Sequence, residues 1–222
     1  MNKLSLVLIL ATLCFYGNSQ QSDKYFNRMN PVVRGYEGDS KLAEEFFKLG
    51  NRKMSDELYN QAVVDFSRAL EINPYYAEAY NNRGIARRKM EDLPGAIADF
   101  DQAVQINPKY EEAYNNRGNA RLDQGDFQGA IDDYSRAIEI DRWLAKAYNN
   151  RGLAKRGLHD LDGATDDFTR AIKLDRRFAE AYKNRGLTRI LAGQKEGGCS
   201  DIQKAVKLGD IQAQTALKEF CD

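Results

Sequence analysis

AEAYNNRG, from Ala77 to Gly84, returns as EEAYNNRG from Glu111 to Gly118, AKAYNNRG from Ala145 to Gly152 and AEAYKNRG from Ala179 to Gly186, each copy 34 residues after the last. A fixed period of that length marks an array of small units rather than a single globule. A second block keeps the same step: AVVDFSRALEINP from Ala62, AIADFDQAVQINP from Ala96, AIDDYSRAIEIDR from Ala130 and ATDDFTRAIKLDR from Ala164. Each unit therefore carries two short segments of apolar periodicity joined by a turn, which reads as a helical hairpin. The turns fall at Glu91-Asp92-Leu93, Gln124-Gly125-Asp126 and Leu158-His159-Asp160, and Pro94 suits the opening turn of the helix that follows the first of them.

The residues common to the units form a pattern. A large aromatic stands at Phe46, Tyr80, Tyr114, Tyr148 and Tyr182, and a glycine four residues on at Gly50, Gly84, Gly118, Gly152 and Gly186. In the second helix come Ala62, Ala96, Ala130 and Ala164, then Phe66, Phe100, Tyr134 and Phe168, then Ala69, Ala103, Ala137, Ala171 and Ala205. On these residues the chain resembles the tetratricopeptide repeat family, from about Ala43 to about Lys207. The resemblance implies an all-α fold, a right-handed α-solenoid of about five antiparallel helix pairs at 43–76, 77–110, 111–144, 145–178 and 179–208, closed by a capping helix at 210–222. There are departures. The family's tyrosine after the glycine is Lys53, Arg87, Arg121, Lys155 and Arg189, its leucine before the glycine becomes Arg83, Arg117, Arg151 and Arg185, and its terminal proline survives only as Pro74 and Pro108.

Thirty-three basic and thirty-three acidic residues cancel, so the whole chain has no field to draw it to nucleic acid or an anionic membrane. Residues 1–19 read as an export signal: Lys3, the apolar run Leu4 to Phe15, then Gly17, Asn18 and Ser19, too short for a spanning helix. The expected location is exported, periplasmic or extracellular, with no membrane span once the signal is removed. Lipid attachment at Cys14 is the less favoured alternative, since Leu13 before it is large. Residues 20–40 lack a period and are broken by Pro31, Gly35 and Gly38, so a flexible lead-in is expected, with Asp39 or Ser40 capping the first helix.

Export leaves Cys199 and Cys221, a pair in a compartment that permits disulfides. They lie ten and twelve residues either side of Gly209, the turn into the last helix, and so come side by side in a hairpin. The alternative is two small buried thiols. Gly193, Gly197 and Gly198 are expected to weaken the second helix of the fifth unit.

Two polar series recur with the period. Arg83, Arg117, Arg151 and Arg185 keep step with Asp99, Asp133, Asp167 and Asp201, so the guanidinium of one helix meets the carboxylate of the next in structural ion pairs; the competing reading is an arginine row facing an anionic ligand. The asparagines form the other series, at Asn82, Asn116, Asn150 and Asn184, with Asn81, Asn115 and Asn149 beside them. Three-and-four spacing puts them on one face of each first helix, the face that proteins similar to this family turn to their concave groove. A primary amide both donates and accepts, so such a ladder is expected to grip the backbone of an extended peptide; the competing reading is amides that bridge neighbouring helices. The carboxylate clamp of some relatives needs lysine, asparagine and arginine where this chain has Phe47, Asn51, Asn82, Glu112 and Asn116, so that mode is not expected.

No catalytic constellation or cofactor is expected. The single histidine, His159, falls in a turn, the Gly193–Gly198 stretch lacks the Lys-Ser/Thr ending of a phosphate loop, and Asp132-Asp133 and Asp166-Asp167 point to different helix faces. The sequence reads as a non-catalytic module binding an extended segment of a protein or peptide partner. The alternative is a scaffold subunit of a cell-envelope or secretion assembly whose groove is idle.

Overall fold

Small residues at the helix crossings set this fold. Ala62, Ala96, Ala130 and Ala164 are fully buried, as are Ala69, Ala103, Ala137 and Ala171, and between them Phe66, Phe100, Tyr134 and Phe168 fill the space at 0% exposure. Opposite each ring lies a glycine of the repeated phrase. A Cβ built on Gly84 would stand 2.7 Å from Phe100 Cε1, and one on Gly118 2.7 Å from Tyr134 Cε1. Only glycine lets backbone and ring meet at that distance.

The structure, a computed structural model, describes residues 31–221, with side chains from Asp39 on. These residues form eleven helices: α1 (Pro31–Ser55), α2 (Tyr59–Ile72), α3 (Ala77–Lys89), α4 (Leu93–Ile106), α5 (Glu111–Gln124), α6 (Phe127–Ile140), α7 (Ala145–Gly157), α8 (Leu161–Leu174), α9 (Ala179–Leu191), α10 (Lys195–Lys207) and α11 (Ile211–Phe220). Each odd helix packs on the even helix after it, each even helix packs on the next odd one, and α3, α5, α7 and α9 also touch in series. The result is an all-α solenoid of five hairpins and a final helix.

The hairpin turns share one device. The residue at the same place in every unit, Glu57, Glu91, Gly125, His159 and Gly193, has positive φ, between 58° and 84°. His159 is there as a turn residue. Asp92, Asp126 and Asp160 then cap α4, α6 and α8 by accepting from the amides of Gly95, Gly129 and Gly163 at 3.0, 2.9 and 2.9 Å.

Two sequence expectations are corrected. The first helix begins at Pro31, not after residue 40, so residues 31–40 belong to α1 and neither Asp39 nor Ser40 caps it. Proline suits a first helical turn, and one helix tolerates Gly35 and Gly38 at about 1 kcal/mol each. The export signal at 1–19 and the lead-in up to residue 30 lie outside the described residues. The second helix of the fifth unit, where glycines are expected to weaken it, runs unbroken from Lys195 to Lys207. Gly198 replaces the usual alanine because Ile202 replaces the usual aromatic, so α9 and α10 approach until a Cβ on Gly198 would meet Gly186 O at 2.6 Å. Beyond it α11 covers the end of the stack with Ala213 and Ala216 on Ile202 and Ala205, and Cys199 and Cys221 join α10 to its end, with Cα atoms 5.6 Å apart.

Candidate functional site

The odd helices line one face of the stack, and their polar residues divide into those that hold helices together and those left over. The arginines of the repeated phrase are of the first kind. Arg83 grips Asp99 with Nε and Nη2 at 3.0 and 2.7 Å, Arg151 grips Asp167 at 2.9 and 2.7 Å, Arg185 grips Asp201 at 2.8 and 2.7 Å, and Arg117 grips Asp133 in the same way. Each pair joins the two helices of one unit. The fork's remaining nitrogen reaches back to the previous unit, to Ser67, Asp101, Ser135 or Thr169. The guanidinium carbons also lie 5.3 to 5.7 Å from the ring centroids of Tyr80, Tyr114, Tyr148 and Tyr182. Each of these guanidiniums is thus bonded to a carboxylate of its own unit and to a side chain of the previous one, beside a tyrosine ring, which spends the row between helices.

A second cation completes each pair, one that the sequence reading did not assign. Arg87, Arg121, Lys155 and Arg189 reach the same carboxylates at 2.8, 2.8, 2.8 and 2.7 Å. They stand where the family's tyrosine is missing, which was the available sign. Burial pushes the Asp133 carboxyl up, against the pull of Arg117 and Arg121. In the first unit, where Leu49 takes the arginine's place, Asp65 meets only Arg68 at 3.8 Å.

The amides are also partly consumed. Asn82 donates to Asn51 at 2.8 Å and accepts from Asn81 at 3.1 Å, and Asn116 donates to Asn81 at 3.0 Å. Two units on, Asn150 donates to Asn119 at 2.9 Å and accepts from Asn149 at 3.3 Å, and Asn184 donates to Asn149 at 3.0 Å. These are two amide chains, each stitching three odd helices. Three of the proposed peptide contacts are corrected by this: Asn81, Asn149 and Asn184 are buried at 1, 1 and 4% exposure and face neighbouring helices rather than a ligand. Their place depends on the ninth residue of each unit. Where it is Asn51 or Asn119, the next helix bonds to it; where it is Ile85 or Leu153, the amide turns to Asn81 or Asn149 instead.

Asn82, Asn115, Asn116 and Asn150 remain half-exposed. The last three meet in a depression of about 390 Å³ between α5 and α7, lined also by Glu111, Glu112, Asn119 and Lys146. Neither end of the amide chains closes it: among the described residues no donor reaches the Asn116 oxygen, and the Asn115 oxygen has only a long 3.5 Å bond from Asn150. The cleft thus offers unspent amide oxygens, two carboxylates and one ammonium. Tyr75 and Trp143 stand 81 and 63% exposed in the loops between units, and Leu144, next to Trp143, also lines the cleft. No group of three or more metal-ligating side chains occurs among the described residues, and no helix there is long and apolar enough to cross a membrane.

Family models for the tetratricopeptide repeat match residues 111–143 and 145–178, and a TPR repeat model matches 50–91 and 86–125, together more than half of the chain. No curated protein sequence matches significantly. Among solved structures, residue range 41-end of MamA from Desulfovibrio magneticus RS-1 is similar at 18% identity and a TM-score of 0.69, covering 75% of this chain and 94% of that one. YrrB, described as a TPR protein with an unusual peptide-binding site, is similar at 20% identity and a TM-score of 0.66, covering 86% and 98%. The first TPR of Spaghetti, bound to the HSP90 peptide SRMEEVD, matches at 26% identity and a TM-score of 0.53 over 54% of this chain and 95% of that one.

Proposed function

The chain belongs to the tetratricopeptide repeat family and is a protein–protein interaction module; on that premise we propose that it holds an extended peptide segment across the odd helices, centred on the cleft between α5 and α7. The observation that carries this reading is the set of half-exposed amides there, with an acceptor on Asn116 left open and Glu112 and Lys146 flanking it. Successive odd helices lie roughly 10 Å apart and an extended chain advances about 3.3 Å per residue, so one rung meets about every third ligand residue. Each such bond contributes only about 0.5 to 1.5 kcal/mol, and Glu112 and Lys146 supply the selectivity that amides lack. Tetratricopeptide repeats bound to peptides, Spaghetti among them, support the mode. The pairing of Cys199 with Cys221 fits an oxidising compartment and supports export, as does the reading of residues 1–19.

The test is site-specific photo-crosslinking. A benzoylphenylalanine placed at Asn116 and, separately, at Gln102, an exposed residue of α4, is irradiated in the native host's extract. Adducts from Asn116 that vanish in a Glu112→Lys, Lys146→Glu background, with circular dichroism unchanged, are the expected result. Adducts from Gln102 alone favour the scaffold reading and reject the groove.

A further inference from the structure

The charges of this chain cancel only in sum. Residues 111–144 carry eight acidic and four basic side chains, whereas residues 145–178 carry five acidic and eight basic ones. The basic excess has a definite place in the fold. Because every hairpin runs out and back, the turns within units lie at one edge of the stack, and the loops between units lie at the other with the ends of the even helices and the α10–α11 connection. At the turn edge the recurring charges are acidic, at Glu57, Glu91, Asp92, Asp126 and Asp160. At the loop edge the sign becomes basic from the fourth unit on.

Substitutions within the repeat bring this about. Near the end of α6, Arg136 is paired with Glu139 at 2.8 Å. In the next two units that arginine becomes Arg170 and then Lys204, and that glutamate becomes Lys173 and then Lys207, so the cation stays while its partner turns into a second cation. In the loops, Pro74-Tyr75 and Pro108-Lys109 give way to Arg142-Trp143 and Arg176-Arg177. Each loop is pinned in the same way. The amides of Trp143 and Arg177 donate to the carboxylates of Asp141 and Asp175 at 2.9 and 2.8 Å, as those of Tyr75 and Lys109 donate to Asn73 and Asn107 at 3.1 Å. Those two aspartates are therefore engaged by the backbone, and Asp210 is engaged by Lys183 at 3.3 Å, while Glu180 stands exposed on the first turn of α9.

Two large apolar side chains flank the cations. Trp143 is 63% exposed at one end, with the Arg142 guanidinium carbon 5.1 Å from its ring centroid, and Ile211, the first residue of α11, is 79% exposed at the other. With successive units about 10 Å apart, the indole and the isoleucine stand two loops apart and bracket the exposed Lys173, Arg176, Arg177 and Lys207. A soluble polyanion would answer the charges and leave both apolar groups bare. An anionic bilayer answers both, since its headgroups meet the cations and its interfacial layer receives an indole and an aliphatic side chain. We propose that this edge docks on an anionic phospholipid surface, with Trp143 and Ile211 entering the interface and the cations between them lying against the headgroups. The chain then lies on a bilayer without crossing it. The contact uses the edge of the stack rather than the odd-helix face, so it stands independently of the groove reading.

The experiment titrates the chain, as its native host processes it, with vesicles of phosphatidylcholine alone and of phosphatidylcholine with one third phosphatidylglycerol. The readout is the emission of Trp143, the single tryptophan. With the anionic vesicles and not with the neutral ones, the emission is expected to shift to the blue, to be quenched when the lipid tails carry bromine, and to give an apparent affinity that falls as salt rises. Arg176→Gln with Arg177→Gln should weaken that affinity about 25-fold, about fivefold for each charge. Lys89→Gln with Lys195→Gln removes the same charge from exposed positions at the turn edge and should leave it within about twofold. Ile211→Ser should weaken it about tenfold with its salt dependence kept. Equal response to the two kinds of vesicle, equal weakening by the two charge pairs, or anionic binding that leaves Trp143 neither shifted nor quenched overturns the proposal. Binding to heparin with no response to vesicles assigns the edge to a soluble polyanion and overturns it as well.

Discussion

Removing the carboxylate of Asp133 should be among the most damaging single changes to this array, and removing that of Asp65, its equivalent two units earlier, among the mildest. Asp133 has 3% of its side chain exposed and takes a two-point grip from Arg117 together with a third bond from Arg121 at 2.8 Å. Asp133→Ala leaves two guanidiniums, 14 and 25% exposed, facing each other with no anion between them, Arg117 keeping only the half-exposed Asp101 at 2.7 Å and Arg121 only Asp126 at 4.0 Å. Breaking a buried pair from one side costs about 3 to 5 kcal/mol, because the surviving charge is desolvated without compensation. Asp65 has only Arg68, 56% exposed and 3.8 Å away, so Asp65→Ala should cost about 0 to 1 kcal/mol. Urea unfolding followed by far-ultraviolet circular dichroism gives both values. The fluorescence of Trp143, the single tryptophan, reports on the boundary between the third and fourth units in the same titration. Arg117→Leu combined with Asp133→Ala, which recreates the leucine of the first unit, should recover part of the loss. Equal losses at Asp65 and Asp133, or a loss below about 1 kcal/mol at Asp133, would refute the claim that the doubled cation is what makes the pair matter.

Two glycine substitutions should move stability in opposite directions. Gly118→Ala drives a methyl to 2.7 Å from the Tyr134 ring and should cost about 1 to 3 kcal/mol, whereas Gly197→Ala meets nothing nearer than 3.8 Å inside α10 and should add about 0.5 to 1 kcal/mol; thermal melts of the two variants decide, and a loss at both would contradict the packing. Alkaline pH should destabilise the third unit through Tyr134, whose phenol is raised by burial and donates to Asn119 at 2.8 Å. The folded phenol holds its proton more tightly than the unfolded one, so its contribution is complete below about pH 10, where a free phenol titrates, and is lost as pH climbs beyond that. Tyr134→Phe should flatten the decline of stability above about pH 10 relative to wild type; identical slopes for the two proteins in urea titrations would exclude the phenol as its source.

The period made the helices and the core legible, because alanine, glycine and aromatic positions carry their meaning in size alone. Polar positions carried less, since a side chain on the right face of a helix wheel is either facing a groove or facing the next helix. Asn81 and Asn82 are adjacent and both qualify by spacing, yet one is buried and the other half-exposed. The deciding residue sits in another unit, at the ninth position, where Asn51 and Asn119 alternate with Ile85 and Leu153. Arg87 and its equivalents were visible only as a departure from the family pattern, and the carboxylate they serve lies in a different helix. The helical start of α1 at Pro31 was hidden because Gly35 and Gly38 argue locally against a helix that extends back from well-packed residues. These cases share a logic for reading such an array. A polar residue whose partner returns with it, as the arginines of the phrase do with their aspartates, spends its chemistry between helices. Availability for a ligand then falls where the period or the bonding breaks: at Lys146, where the other units have glutamate, and at Asn116, where the amide chain stops. Variants at those two positions, more than at the arginines and aspartates that pair between helices, should change what the chain binds without changing how it folds.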